Sequence, residues 1–448
     1  MTADLEALTA RLLAAAGAAG AEAADAVAVA GESLSIEVRN GALEHAGGAE
    51  AVDVGLRVLI GRRQACVSSS DTRDATLAAM AERAVAMARE APEDPWCGLA
   101  EPEQLVHGWD VAALELVDPA PRPTPAALEE AALAAEASAR AVPGVSKIDS
   151  AGAGYGASRM HIAASNGFSG GYGSTGYSLQ ASAICGEGTS MEQDHCYESR
   201  AHASDMPTPE EVGRLAGERA VERAGASKPP TGAFPVIYDE RVAAGLIGHL
   251  VQAINGAAVA RGSSWLKDAL GQRVLPEGID LIEDPFRPRI GGSRPFDAEG
   301  LPVARRALVE DGVLQGWILD LATGRQLGFP STGNAGRGTS APPMPTVGNL
   351  ALTQGAEGRE ALMAQMGTGL LVTSLIGASI NPTTGDYSRG ASGFWVENGA
   401  IVRPVNECTI AGNLRQMLAT IRPANDARRH RSRVVPSLLV EGLVIAGS

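Results

Sequence analysis

One histidine on a predicted helix lies where a zinc-peptidase motif could begin. The run from Asp239 to Asn255, DERVAAGLIGHLVQAIN, has apolar residues at helical spacing, and His249 lies on their stripe. A zinc-peptidase helix carries two imidazoles on one face, with a carboxylate beside the first as general base. Here Leu250 follows His249, and no second histidine follows in the helix. The pattern favours a hydrogen-bonded core histidine over a metal ligand.

A second group of reactive side chains lies in the segment 381–399, NPTTGDYSRGASGFWVENG. This density of charged, hydroxyl and glycine residues suits a loop that another backbone approaches closely. It suits equally a loop held by its own hydrogen bonds, with Arg389 paired to Asp386. The candidates for lining a cleft or binding a peptide are His249, Asn381, Asp386, Tyr387, Ser388 and Arg389.

The segment 194–202, DHCYESRAH, has the densest set of potential metal ligands. His195 and Cys196 are neighbours, so on a strand they face opposite sides, and His202 is an odd number of residues from His195. A shared metal would therefore require a bulge.

Two glycine-rich segments, GAGYGAS (152–158) and GGYGSTG (170–176), superficially resemble phosphate loops. Both lie among alternating strand residues, without the helix N-terminus that holds a phosphate. The sequence thus argues against nucleotide binding, and no Ser/His/Asp or Cys/His arrangement is defined by spacing.

Hairpin turns and capped helices must position these groups. Pairs that supply the positive φ of a hairpin turn occur at Asn40-Gly41, Asn166-Gly167, Asp311-Gly312 and Asn398-Gly399. Helices are predicted over 71–90, 124–142 and 208–226, starting at Asp71, at Thr124 and at Thr208. The sequence therefore predicts an α+β protein, with an N-terminal α/β region containing antiparallel sheet and a mainly β, barrel-like C-terminal domain.

The run GASKPPTGAFP, 225–235, marks the main predicted boundary. The N-terminal region would span 1–228, with lobes at about 1–91 and 124–228 joined by a proline-rich segment. The C-terminal domain would span 229–448 and contain the helix 239–255.

Charge and cysteine usage exclude some classes of protein. A net charge of −15 over 448 residues argues against nucleic-acid binding, and the basic run RPANDARRHRSR is predicted to be a solvated segment. Five scattered cysteines fit a reducing compartment, and no apolar stretch is long enough to span a membrane. We expect a cytoplasmic protein, since the N-terminal run also lacks a basic leader.

Several long segments together resemble the TldD/PmbA family, and most closely its PmbA branch, also called TldE. They include YDERVAAGLIGHLVQAINGAAVARGSSWLKDALGQRV, IEDPFRPRIGGSRPFDAEG, STGNAGRG, INPTTGDYSRGASGFWVENGAIVRPVNECTIAGN and PSLLVEGLVIAGS. The resemblance implies an α/β N-terminal region, a largely β C-terminal domain and a heterodimeric cytoplasmic metallopeptidase acting on peptides or unfolded chains. It also implies that the TldD-type subunit holds zinc on an HExxxH helix, with a cysteine near its C-terminus.

The resemblance also shows where this chain departs from that motif. His249 matches the first position, but Leu250 replaces the glutamate, Ile254 replaces the second histidine, and the last cysteine is Cys408. The chain thus resembles the non-catalytic subunit, with no catalytic residue, metal or cofactor of its own and zinc in its TldD-type partner. In that role the 381–399 segment and His249 would line the partner's cavity, and the glycine-rich strands would offer edges to peptides.

Two other functions stay open, and a homodimer of the isolated chain is a further alternative. One is an independent hydrolase using residues around Asp386 to Arg389 or His195 to His202. The other is a regulatory binding protein of the gyrase-modulator type.

Overall fold

The structure, a computed structural model, describes residues 4–447. Its N-terminal half forms one antiparallel sheet of six strands in the order β3-β2-β1-β4-β5-β6. The elements are α1 (Leu5–Ala18), β1 (Ala23–Arg39), β2 (Ala42–Ile60), β3 (Arg63–Ser69), α2 (Asp74–Glu90), α3 (Pro125–Arg140), β4 (Val145–Ala164), β5 (Ser169–Cys185), β6 (Glu192–Arg200) and α4 (Pro209–Glu222).

The two predicted lobes share this sheet. Helices α1 and α2 pack on β1 to β3 in one apolar cluster, and α3 and α4 pack mainly on β4 to β6 in another. The long β1–β4 pairing joins the two halves, with Asp25 opposite Ala164 and Val38 opposite Ala151. The boundary between the lobes stays a prediction.

Local sequence signals account for several element ends. At the first hairpin, Asn40 and Gly41 adopt φ values of 55° and 73°, as predicted for a tight turn. Thr124 and Thr208 cap their helices by accepting hydrogen bonds from backbone N–H groups three residues on. The predicted start at Asp71 is wrong: α2 begins at Asp74, because the Asp71 carboxylate instead accepts bonds from the Arg73 N–H and the Thr76 hydroxyl.

The proline-rich segment runs from the first lobe along the C-terminal domain. The Val106 N–H donates to the Gly300 carbonyl over 2.9 Å. The Trp109 ring meets Phe296 edge-on, with 4.9 Å between centroids. These contacts attach the segment to the C-terminal domain.

The C-terminal half contains a closed barrel of five strands. Neighbouring strands pair in the spatial order β16-β15-β14-β7-β19, and a pairing between β16 and β19 closes the ring. A second sheet has the order β10-β9-β8-β13-β18. The elements are β7 (Gly232–Tyr238), α5 (Glu240–Ala253), α6 (Gly256–Ala260), β8 (Leu281–Glu283), β9 (Arg306–Glu310), β10 (Val313–Leu314), α7 (Leu321–Leu327), β11 (Ala335–Gly336), β12 (Met344–Pro345), β13 (Leu350–Leu352), α8 (Arg359–Met366), β14 (Gly369–Ile380), β15 (Asp386–Glu397), β16 (Ala400–Asn413), α9 (Leu414–Ala419), β17 (Arg422–Pro423), β18 (Arg433–Val434) and β19 (Leu438–Ala446).

The predicted α+β class, with an antiparallel N-terminal sheet and a barrel-like C-terminal domain, is confirmed. Helix α5 contributes its apolar face to the same buried cluster as the barrel strands. Within residues 4–447, no helix has the length and apolar character needed to cross a membrane.

Candidate functional site

Helix α5 is fixed at its start by ionic contacts. The Asp239 carboxylate caps the helix by accepting a hydrogen bond from the Arg241 N–H over 3.1 Å. Arg359 donates to the other oxygen of Asp239 over 2.7 Å. The adjacent Glu240 N–H donates to the Ser437 hydroxyl over 3.0 Å, which ties the helix to the residue just before β19.

The positions that a zinc peptidase would use are part of the core. Leu250 and Ile254 each have 0% of their surface exposed and pack in the cluster that α5 shares with the barrel. A carboxylate or an imidazole at either place would be surrounded by apolar side chains. Leu250 and Ile254, which replace the glutamate and the second histidine of the motif, therefore serve as packing residues of the core.

His249 lies at the edge of this core, beside the barrel. Its ring meets that of Tyr387 in a T-shaped contact, with centroids 5.8 Å apart. Burial lowers the pKa of His249, and the charge of Arg389 lowers it further, against an opposing contribution from Gln252. The two lowering effects favour the neutral form of the imidazole.

The predicted hydrogen bond of a core histidine is missing at one ring nitrogen. Among residues 4–447, the buried Nδ1 of His249 has no hydrogen-bond partner. Such an atom costs free energy unless it is satisfied. The Gln252 side chain hydrogen-bonds to the ring, so the prediction of a hydrogen-bonded histidine is not overturned, while Nδ1 stays without a partner in this part of the chain.

The candidate residues of the 381–399 segment divide between a strand and a turn. The predicted loop is largely strand β15, which begins at Asp386. Tyr387 is buried beside His249, and burial raises its pKa. Arg389, two residues along the strand, donates from Nε to the Gly377 carbonyl over 2.6 Å.

The predicted Arg389–Asp386 pair does not form. The Asp386 carboxylate instead accepts hydrogen bonds from the Thr384 hydroxyl and the Asn413 amide, over 2.6 and 3.1 Å. These bonds lower the pKa of Asp386. The pairing fails because a backbone carbonyl, that of Gly377, faces the guanidinium across the hairpin.

The other two candidates serve the hairpin itself. The Asn381 side chain accepts from the N–H groups of Thr383 and Thr384, which closes the turn. Ser388 lies opposite Ser379 in the β14–β15 ladder. The structure therefore brings together His249, Tyr387 and Arg389, and leaves Asn381, Asp386 and Ser388 in the hairpin.

The donor set at α5 does not fit a zinc ion. Zinc sites in proteins use three or four nitrogen, sulfur or oxygen ligands. Across the described chain no group of three or more His, Cys, Asp or Glu side chains could hold a metal. Cys408 is buried in the barrel, where its thiol contacts the Ala391 carbonyl, and burial raises its pKa to about 11. We derive no metal-assisted step for this chain.

The other sequence patterns lie in the N-terminal sheet. On β6 the His195 side chain is exposed and Cys196 is buried, so they face opposite sides as predicted. His202 is buried, and its Nε2 lies 2.8 Å from the Glu115 carbonyl. The glycine-rich segment 152–158 pairs with strands on both sides, so the expected free edge is absent there, whereas 170–176 pairs with β4 alone among the described strands.

The sequence did not predict a cavity between the C-terminal domain and the six-stranded N-terminal sheet, which we call the central sheet. It has a volume of about 430 Å³ and is lined by β6, the start of α5 and the basic segment 428–433. The prediction that this segment is solvated is wrong for Arg428, which pairs with Glu198 and Glu240 over 2.7 and 2.6 Å. The high density of arginines in 428–433 is the one sequence feature that points to this cavity. The partners of Arg428 are remote in sequence, so the pairing itself is not visible there. We call this space the arginine cavity.

Comparison with known proteins covers nearly the whole chain. Family models described as PmbA/TldA metallopeptidase domain 1, central domain and C-terminal domain match residues 24–88, 118–225 and 231–447. Metalloprotease PmbA of Escherichia coli O157:H7 is 36% identical over 420 residues, which cover 92% of this chain and 90% of that protein.

Solved structures agree on the fold. A Bacteroides thetaiotaomicron protein, named as a proposed modulator of DNA gyrase, matches with a TM-score of 0.90 at 26% identity over 100% of both chains. TldE from Thermococcus kodakarensis matches with a TM-score of 0.84 at 20% identity over 98% of this chain and 99% of that one. This chain therefore belongs to the PmbA/TldD metallopeptidase family, in its PmbA (TldE) branch.

Proposed function

We propose that this chain is the PmbA/TldE-type subunit of a heterodimeric peptidase, in which a TldD-type partner holds the catalytic zinc. The observation that carries the proposal is the donor set of α5. His249 is the one potential ligand among the three motif positions, while Leu250 and Ile254 are fully buried in apolar surroundings. A single neutral imidazole cannot both hold a zinc ion and supply a general base.

In this role the chain completes the cavity around the partner's metal. His249 presents a buried Nδ1 without a partner in the described chain, and Arg389 lies nearby on β15. An unsatisfied nitrogen beside a guanidinium suits contact with a peptide backbone or with the other subunit. The substrates would be peptides or unfolded chains, and the pair would work in the cytoplasm.

Reconstitution tests this proposal. The chain and its TldD-type partner are purified separately and as a co-expressed pair, and cleavage of an unfolded protein and of short peptides is measured in all three samples. We expect cleavage by the pair, abolished by a chelator, and none by this chain alone. With His249→Ala in this chain, the pair should retain its full zinc content while the KM for peptide changes.

Two outcomes would favour the other functions. Cleavage by the isolated chain would support an independent hydrolase, which Asp386→Asn and His195→Ala variants would then locate. A lack of cleavage in every sample, despite a stable pair, would support a regulatory binding protein.

A further inference from the structure

The lining of the arginine cavity is rich in arginine, although the chain as a whole is acidic. The whole chain has a net charge of −15, yet six arginines and one histidine line this space against two glutamates. The charged and titratable lining residues are Glu198, Arg200, Glu240, Arg241, Arg289, Arg428, His430, Arg431 and Arg433. Clefts with one sign of charge attract and concentrate ligands of the other sign.

The carboxylates in and near the cavity are already engaged. Glu198 accepts from Arg428 over 2.7 Å and from Arg200 over 2.8 Å. Glu240 lies 2.6 Å from the second terminal nitrogen of Arg428. These pairs join β6 of the central sheet to the start of α5, so they fix the shape of the cavity.

Carboxylates outside the cavity lining balance the charges of two further lining arginines. Arg241 lies 3.1 Å from Asp239 and 3.5 Å from Asp194. Arg289 donates to Glu115 over 2.6 Å. Four of the six arginines thus have carboxylate partners.

The remaining two, Arg431 and Arg433, have no such partner. Between residues 4 and 447, neither side chain forms an ion pair at contact distance, although the charge of Arg431 acts on Glu198 and Glu240. Both residues are exposed. The backbone that carries them is held in place, because Arg287 donates to the Arg431 carbonyl over 3.0 Å. A terminal nitrogen of Arg433 lies 3.3 Å from the point that a Cβ on Gly248 would occupy, so the guanidinium rests against α5.

A third group in the same space is His430. Its Nε2 is buried and lies 3.4 Å from Glu198, without a hydrogen bond in the described structure. Burial lowers the pKa of His430, and the charge of Arg200 lowers it further. The cavity therefore combines a positive potential with an imidazole that can donate or accept a hydrogen bond.

We propose that the arginine cavity binds an oxyanion, a carboxylate or a phosphate, through Arg431 and Arg433. Planar guanidinium groups match the two oxygens of such ligands and bind them through charge-assisted hydrogen bonds. Because the cavity lies between the central sheet and the C-terminal domain, the bound anion stabilises their contact. The proposal is independent of peptide hydrolysis, since it concerns the isolated chain.

Binding to the full-length chain tests the proposal. Calorimetric titration and thermal unfolding are measured with inorganic phosphate, with citrate, and with one hexapeptide carrying either a free or an amidated C-terminus, at constant ionic strength set with chloride. We expect at least one oxyanion to bind and raise Tm. Arg431→Gln combined with Arg433→Gln should lower that affinity about tenfold or more.

The matched control is Arg429→Gln, which removes a positive charge from the same segment but from a residue outside the cavity lining. This variant should bind with the wild-type affinity. Binding of the free but not the amidated peptide identifies a peptide terminus as the ligand source, while binding of phosphate or citrate alone identifies a small free anion. The proposal is overturned if no oxyanion binds, or if Arg429→Gln loses as much affinity as the double variant.

Discussion

The two ends of helix α5 have opposite chemistry. At its start Asp239, Glu240 and Arg241 each form an ion pair, and Glu240 is linked through Arg428 to the central sheet. Toward its end, Leu250 and Ile254 are fully buried. His249, near that end, has a lowered pKa, and its Nδ1 has no hydrogen-bond partner among residues 4–447.

This difference shows where along the helix the fold can accommodate a charged side chain. Charges at the start have partners from two domains, so their burial is compensated. A charge at the end would have none, because the surrounding side chains are apolar. The start of the helix is therefore held by ion pairs, while its end packs into the core.

The largest expected effect comes from placing a charge at the apolar end. Leu250→Glu buries a carboxylate without a partner, so we expect the free energy of unfolding to fall by about 3 kcal/mol or more. Urea denaturation measures this loss. Gln252→Glu adds the same charge at an exposed position two residues along and should change stability by less than about 0.5 kcal/mol. Equal stability of the two variants would contradict the claim that the buried end of α5 cannot accommodate a charge.

Removing a charge from the ionic end should have a somewhat smaller effect. Arg428→Gln leaves the half-buried Glu240 without this ion pair and the buried Glu198 with Arg200 alone, at a cost of about 2 kcal/mol. A double-mutant cycle with Glu198→Gln should show coupling between the two residues. Additive effects would mean that the pair does not link the domains.

The hairpin next to His249 should respond more weakly. Arg389→Gln removes the hydrogen bond to the Gly377 carbonyl, so we expect a loss of about 1 kcal/mol. Hydrogen exchange should become faster in the hairpin formed by β14 and β15 and stay unchanged in the N-terminal sheet. Uniformly faster exchange would indicate global destabilisation instead.

The smallest effect concerns pH. Because the folded pKa of His249 lies below its usual value of 6.5, the neutral ring contributes stability above that pH, and this contribution is lost as the pH falls. His249→Gln should therefore reduce the loss of stability between pH 7.5 and 5.5, by less than about 1 kcal/mol after allowance for its partial exposure. Identical pH dependence in both proteins would show that the ring is not desolvated.

Short-range signals made much of the fold predictable. The Asn40-Gly41 turn and the caps at Thr124 and Thr208 depend on residues within a few positions, so the sequence displays them directly. The absence of a glutamate and a second histidine after His249 was equally visible.

Long-range contacts could not be predicted in the same way. Arg428 and Glu198 are 230 residues apart in the chain, and no periodicity relates them. The partner of Arg389 is a backbone carbonyl, which has no signature in the side-chain sequence. The arginine cavity arises where two domains meet, so it follows from tertiary packing alone.

The zinc content of the isolated chain tests the central claim most directly. The purified protein is incubated with zinc, dialysed and measured by elemental analysis, beside a His249→Ala variant. We predict well below one tightly bound zinc per chain, with the same residual content in both proteins. One zinc per chain that is lost in His249→Ala would contradict the account, because α5 would then be a working metal helix.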